Sequence, residues 1–155
     1  MVVFGFELLE AFGFDGLRLD AVDQIVDPSE PELLVEIAQE IRARITDRPV
    51  HLTTEDNRNA AHLHARGADG TVPLYTAEWN DDFHNAAHVC ATGETEGYYG
   101  DFAQDRWRLL ARSLAEGFAF QGEVTDAGVP RGEPSAHLHG RAALVDEVAD
   151  VLEHV

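Results

Sequence analysis

FDGLRLDAV, running from Phe14 to Val22, alternates in the manner of a strand with two different faces. Leu17 and Leu19 share one side of an extended chain, and Arg18 and Asp20 share the other. The run delivers one carboxylate, Asp20, to its C-terminal end. HLTTEDNRN, from His51 to Asn59, repeats the arrangement, with His51, Thr53 and Glu55 on one face and Glu55 closing the run. Between the two lies DPSEPELLVEIAQEIRARI, whose Leu33, Leu34, Ile37, Ile41 and Ile45 recur at helical spacing. Ser29 is the expected N-cap, Pro31 falls in the first turn, and Glu32 completes a capping box. Strand, helix and strand in about forty residues predict parallel strands joined by a right-handed crossover.

Working outward, Val3, Phe4, Leu8, Leu9 and Phe12 predict a helix over residues 2–12, stopped by Gly13. A third strand is expected over Val72–Thr76, and a helix over His84–Thr92 that ends at Gly93. Another helix is expected over Arg106–Phe118, with Leu109, Leu110 and Leu114 inward. Residues 121–136 are rich in Gly, Pro and charge and read as loop. Leu144, Val145, Val148, Val151 and Leu152 predict an amphipathic C-terminal helix. The chain therefore divides into an α/β region, residues 1–136, and a helical tail, residues 137–155.

Composition narrows the partners. The 155 residues suffice for one core but fall short of the roughly 250 of a complete eight-stranded β/α barrel. A net charge of −18, from 29 acidic and 11 basic residues, argues against nucleic acid and anionic membranes, both polyanions. A neutral sugar is compatible with it. The single cysteine, Cys90, excludes an intramolecular disulfide framework and fits a cytoplasmic protein. The N-terminal stretch lacks the basic region and cleavage site of a signal peptide.

Two carboxylates at the ends of neighbouring parallel strands are what glycosidic bond cleavage requires: one attacks or stabilises the anomeric carbon and the other protonates the leaving oxygen. Taken singly, Asp20 and Glu55 would read as surface acids, as most carboxylates do. Their matched positions after successive strands favour catalysis, because barrel active sites occupy that rim. Arg18, on the face of Asp20, is placed to favour its ionised form. Trp79 beside Asn80, Asp81, Asp82 and His84 suits a sugar, whose ring face stacks while its hydroxyls hydrogen-bond; the competing reading is a packed Trp and a helix N-cap at Asp81 or Asp82. Tyr98, Tyr99 and Asp101 are weighed in the same way. The eight histidines include close pairs, but no HExxH context or cysteine cluster accompanies them, so neither a metal nor another cofactor is expected. Cys90 reads as core rather than nucleophile.

The motifs resemble the α-amylase superfamily, glycoside hydrolase family 13. GLRLDAV resembles the nucleophile motif of its fourth barrel strand and TTED the acid/base motif of its fifth. Within the superfamily DGLRLDAV, HLTTEDNRN, EWNDDFHNAAHV, TGETEGYYGDF, LAEGFAFQGE and RGEPS are most similar to the malto-oligosyltrehalose trehalohydrolases, in their order. Glycogen branching enzymes are the nearest alternative.

The resemblance implies a partial TIM barrel, roughly strands four to six, with Asp20 as nucleophile and Glu55 as general acid/base. It further implies Arg18, Asp56, Arg58, Trp79, Asn80, Asp81, Asp82 and His84 as substrate-binding residues for a malto-oligosaccharide or malto-oligosyltrehalose. The family's third catalytic Asp, in an NHD phrase after RGEPS, has no counterpart: the text there is HLHGRAALVDEVADVLEHV. The expectation is a truncated or frame-disrupted copy, weakly active or inactive, with open sheet edges that invite self-association. A non-catalytic remnant or α-glucan binder is the alternative of a different class.

Overall fold

The computed structural model describes residues 2–125 and 128–135. The expected C-terminal helix lies outside the described residues. The elements run α1 (Val2–Glu10), β1 (Gly16–Leu19), α2 (Leu33–Arg44), β2 (His51–Glu55), β3 (Ala77–Trp79), α3 (Asp81–Thr92), α4 (Gly100–Ala103), α5 (Arg106–Glu116), β4 (Glu123–Val124) and β5 (Pro130–Arg131), with short 3-10 turns between several of them. The first three strands form one parallel sheet in the order β1-β2-β3. The segment over residues 121–135, expected as loop, carries a small antiparallel hairpin of β4 and β5.

The alternation read from the sequence sets the sheet's two faces. Leu52 and Thr54 are buried, and Leu17 and Leu19 pack against the same core, which includes Phe6, Leu9, Leu34, Ile37, Ala38, Ile41, Ile45 and Val50. Burying such side chains contributes on the order of 1.5–3 kcal/mol each. Arg18, Asp20 and His51 lie on the opposite, exposed face. Gly16 permits the close pairing of β1 with β2, because a Cβ there would stand 2.4 Å from the His51 carbonyl oxygen. A second core under α3 and α5 gathers Ala86, Val89, Phe102, Leu109, Ala119 and Phe120.

Four local expectations are corrected. The third strand is not Val72–Thr76 but Ala77–Trp79. Pro73 has no N–H to give a ladder, and arginines take carbonyls that a strand would use. Arg42 donates to Leu74 O at 3.0 Å, and Arg66 donates to Tyr75 O at 3.0 Å and to Thr76 O. The cap of α2 is not Ser29 with Glu32. Asp27 accepts from Leu33 N at 2.5 Å and from Ser29 Oγ at 2.9 Å, and these bonds, that to Leu33 first, hold its carboxyl below the usual range. Phe12 lies beyond the end of α1 and is 70% exposed. Leu114 is 47% exposed, because α5 turns Leu109 and Ser113, four residues apart, into the core instead.

His62 ties three segments together. Its Nε2 meets Glu32 Oε1 at 2.7 Å and its Nδ1 meets Glu133 Oε1 at 3.0 Å. Partial burial opposes the charged ring, but the two carboxylates outweigh it and raise the pKa above 6.5. His64, two residues on, is buried; desolvation drives its pKa down to about 4, and the neutral ring donates Nε2–H to Glu78 Oε2 at 2.7 Å. The two histidines thus act in opposite senses. The stabilisation from His62 is complete below its unfolded pKa and disappears as pH rises through its raised folded value. That from neutral His64 is complete above its unfolded pKa and is lost as pH falls toward the depressed one. His62→Ala should therefore lower the melting temperature more at pH 5.5 than at pH 8.5, as read by circular dichroism melts across about three pH units.

Candidate active site

The parallel register brings the two sequence-derived carboxylates to one edge. Arg18 is the partner of Thr53 and Leu19 of Thr54, so Asp20 follows β1 where Glu55 ends β2. Neighbouring strands lie about 4.8 Å apart. Arg18 joins the pair directly: Nη1 donates to Asp20 Oδ1 at 2.6 Å and Nη2 stands 3.1 Å from Glu55 Oε2. The terminal nitrogens of one planar guanidinium are roughly 2.3 Å apart, which confines those two oxygens to within about 8 Å. Glu55 Oε2 also accepts from Ala21 N at 3.1 Å. Ala21 has φ 48° and ψ 45°, a left-handed conformation that a non-glycine residue adopts at a cost of about 1–2 kcal/mol. The turn aims the amide at Glu55.

Trp79 pairs with Glu55 across β2 and β3. Its ring carries the Arg18 guanidinium, Cζ standing 5.0 Å from the centroid. One arginine therefore touches Asp20, Glu55 and Trp79, each at or near the C-terminal end of a different strand. Beside them opens a cleft of about 410 Å³, within the ligand-sized range of roughly 300–1,000 Å³. Glu55, Trp79, Asp81, His84, Tyr98 and Arg131 line it. Burial raises the Asp81 pKa, the charge of Glu55 adds to the rise, and Arg131 opposes it.

Of the other residues singled out in the sequence, Asp56, Asn80 and Asp82 are buried, and Arg58 is 40% exposed. Asp56 is fully buried and takes a paired contact from Arg58, with Nε at 2.8 Å to Oδ1 and Nη2 at 2.7 Å to Oδ2. Asn80 caps α3, accepting from Phe83 N at 3.0 Å and donating to Gly117 O at 2.5 Å; neither Asp81 nor Asp82 is the cap. Asp82 Oδ2 collects Asn59 Nδ2 at 2.7 Å, Ala119 N at 2.8 Å and Phe120 N at 3.0 Å. Its Oδ1 accepts from Arg131 Nη2 at 2.6 Å. Burial pushes the Asp82 pKa up, and Arg131 and these donors oppose the rise.

Asn59 and Arg131 are the residues that sequence reasoning did not place here. Asn59 holds φ 55°, a region Asn tolerates better than most residues, and that was the available signal. Arg131 owes its position to Gly132, where a Cβ would come 2.1 Å from Phe120 O. Among the described residues no group of three or more His, Cys, Asp or Glu side chains could hold a metal ion. No helix among them is long and apolar enough to cross a membrane. Cys90 is half-buried on α3.

No family model matches the chain. A malto-oligosyltrehalose trehalohydrolase from Mycobacterium tuberculosis is 40% identical over 133 residues, 84% of this chain and 21% of the relative. The chain is a homologue of a segment of malto-oligosyltrehalose trehalohydrolases. A trehalohydrolase of that name from Deinococcus radiodurans is 37% identical over 134 residues, again 84% of this chain and 21% of the relative. The chain thus spans about a fifth of the length of these trehalohydrolase relatives. A crystal structure at 1.4 Å resolution, of a Salmonella typhimurium protein provisionally named as an alpha amylase, superposes with a TM-score of 0.83 at 59% identity. It covers 86% of this chain and 23% of the other.

The buried Asp82 cluster and the exposed Asp20 should respond differently to substitution. Asp82→Ala leaves Arg131 and three N–H donors without their acceptor and should cost about 3–5 kcal/mol. Asp20→Asn, at a side chain 73% exposed, should stay within about 0.5 kcal/mol of the unaltered chain. Urea denaturation followed by fluorescence measures both.

Proposed function

We propose that this chain carries the nucleophile and the general acid/base of a retaining α-glycosidase acting on malto-oligosyltrehalose. The single observation that carries the reading is the Arg18 bridge from Asp20 to Glu55 at adjoining strand ends. The three-stranded sheet is read as strands four to six of a (β/α)8 barrel. The homologue names support a malto-oligosaccharide-type substrate, and the resemblance of the motifs implies that the bond cleaved is the α-1,4 linkage beside the trehalose end.

Asp20 attacks the anomeric carbon while Glu55 protonates the departing glycosidic oxygen, and a glycosyl ester forms on Asp20. Glu55, now a carboxylate, takes a proton from water, which displaces Asp20 and restores both groups. Arg18 orients both carboxylates, and the Trp79 ring offers a stacking face beside Glu55. Asp81 and His84 line the same cleft and suit sugar hydroxyls. Asp56, Arg58, Asn80 and Asp82 act on the substrate through the residues they position. The protein is read as cytoplasmic, with β1 and β3 at the edges of the sheet available for self-association.

A second reading, an α-glucan-binding protein without turnover, is favoured by one feature. The sequence holds no NHD phrase to supply the transition-state carboxylate, a contribution commonly worth several kcal/mol. Incubation with malto-oligosyltrehalose, with binding followed by calorimetry and trehalose by chromatography, separates the two. Binding with slow trehalose release that Asp20→Asn and Glu55→Gln each abolish supports the glycosidase. Binding with no release supports the binder. Release that survives either substitution contradicts the assigned pair, and failure to bind contradicts both readings.

A further inference from the structure

The cleft has a second aromatic face that the reaction does not use. Tyr98 lines it together with Trp79, and its side chain is 71% exposed. Its presentation is built rather than incidental. The Tyr99 ring backs it at 4.6 Å, and Tyr99 in turn stacks on His88 of α3, with centroids 4.4 Å apart and planes 16° from parallel. His88 Nε2 meets Glu94 Oε2 at 2.8 Å, which fixes the third member of the stack. Phe102, fully buried in the second core, anchors the following turn of α4. The rings of Tyr98, Tyr99 and His88 therefore form a pillar from α3 to the cleft wall.

Trp79 lines the same cleft, 41% exposed, with the Arg18 guanidinium over its ring. Around the two rings the polar lining is Asn57, Asp81, His84 and Asp101. Exposed aromatic faces interspersed with hydroxyl-binding groups match a pyranose, which offers C–H bonds on its faces and hydroxyls around its edge. One ring suffices for one sugar residue. Two exposed rings lining one ligand-sized cleft offer two stacking faces to an oligosaccharide.

We propose that Tyr98 is a substrate-binding residue that stacks on a second glucosyl residue of an α-1,4-linked chain, apart from the one received by Trp79. The inference rests on the carbohydrate-binding reading of this cleft and deepens it. The Tyr98 hydroxyl is not required, since the contact is made by the ring face.

The test is titration of the full chain with maltotetraose by isothermal calorimetry, for the unaltered protein and for Tyr98→Ala, Tyr98→Phe and Trp79→Ala. Far-ultraviolet circular dichroism checks that each variant is folded. Tyr98→Ala should raise Kd about 3- to 10-fold, the range that loss of one aromatic contact produces. Tyr98→Phe should stay close to the unaltered protein. A Tyr98→Ala variant that binds as tightly as the unaltered chain, while Trp79→Ala weakens binding, overturns the Tyr98 subsite and leaves the cleft's reading intact. An unaltered chain that does not bind maltotetraose overturns both.

Discussion

A single guanidinium fork organises the exposed edge of the sheet. Arg18 reaches Asp20 on its own strand, Glu55 on the next, and the Trp79 ring on the third. A planar cation placed between the two carboxyl groups fixes the direction of both. The arrangement depends on a parallel register that sets Arg18 beside Thr53 and Glu55 beside Trp79. A slip of one residue would turn Arg18 into the apolar core and Leu19 into water. The buried residues Leu52 and Thr54, with Leu17 and Leu19 beside them, therefore hold the chemistry in place by refusing any other register.

Behind the cleft a second constraint operates in the opposite dielectric regime. Asp82 is buried and saturated with donors from Asn59, Ala119, Phe120 and Arg131. These come from three stretches of chain and join α3 to the turn after β2, to the segment after α5 and to β5. Arg131 also lies against the Phe102 and Phe120 rings, at 5.7 and 5.2 Å. The network holds the first turn of α3, from which Asp81 and His84 line the cleft. The cleft thus has one wall set by strand register and one set by a buried ionic cluster.

The strands that carry Asp20 and Glu55 were legible in the sequence because a period of two needs only local information. Alternation over GLRL and HLTTE assigns each side chain to a face without knowledge of any partner. The crossover helix was legible for the same reason at period 3.6. What escaped was non-local. Residues 72–76 look like a strand until Arg42 and Arg66, from elsewhere in the chain, take their carbonyls. Asp27 displaced Ser29 as the cap because its side chain spans six residues to Leu33 N. Asp82 read as a sugar-binding residue or a helix N-cap, since nothing near it in sequence announces Asn59 or Arg131. Phe12 fits the helical spacing yet faces water because α1 ends at Glu10, and Leu114 does so because α5 turns Leu109 and Ser113 inward.

The proposed function requires Asp20 and Glu55 to form one retaining pair on the C-terminal edge of the sheet. The most direct measurement is the distance between their carboxyl groups in a crystal structure of this chain. The account predicts a separation of about 5–5.5 Å, with Arg18 between them. Carboxyl groups on opposite edges, or separated by more than about 10 Å, would contradict it.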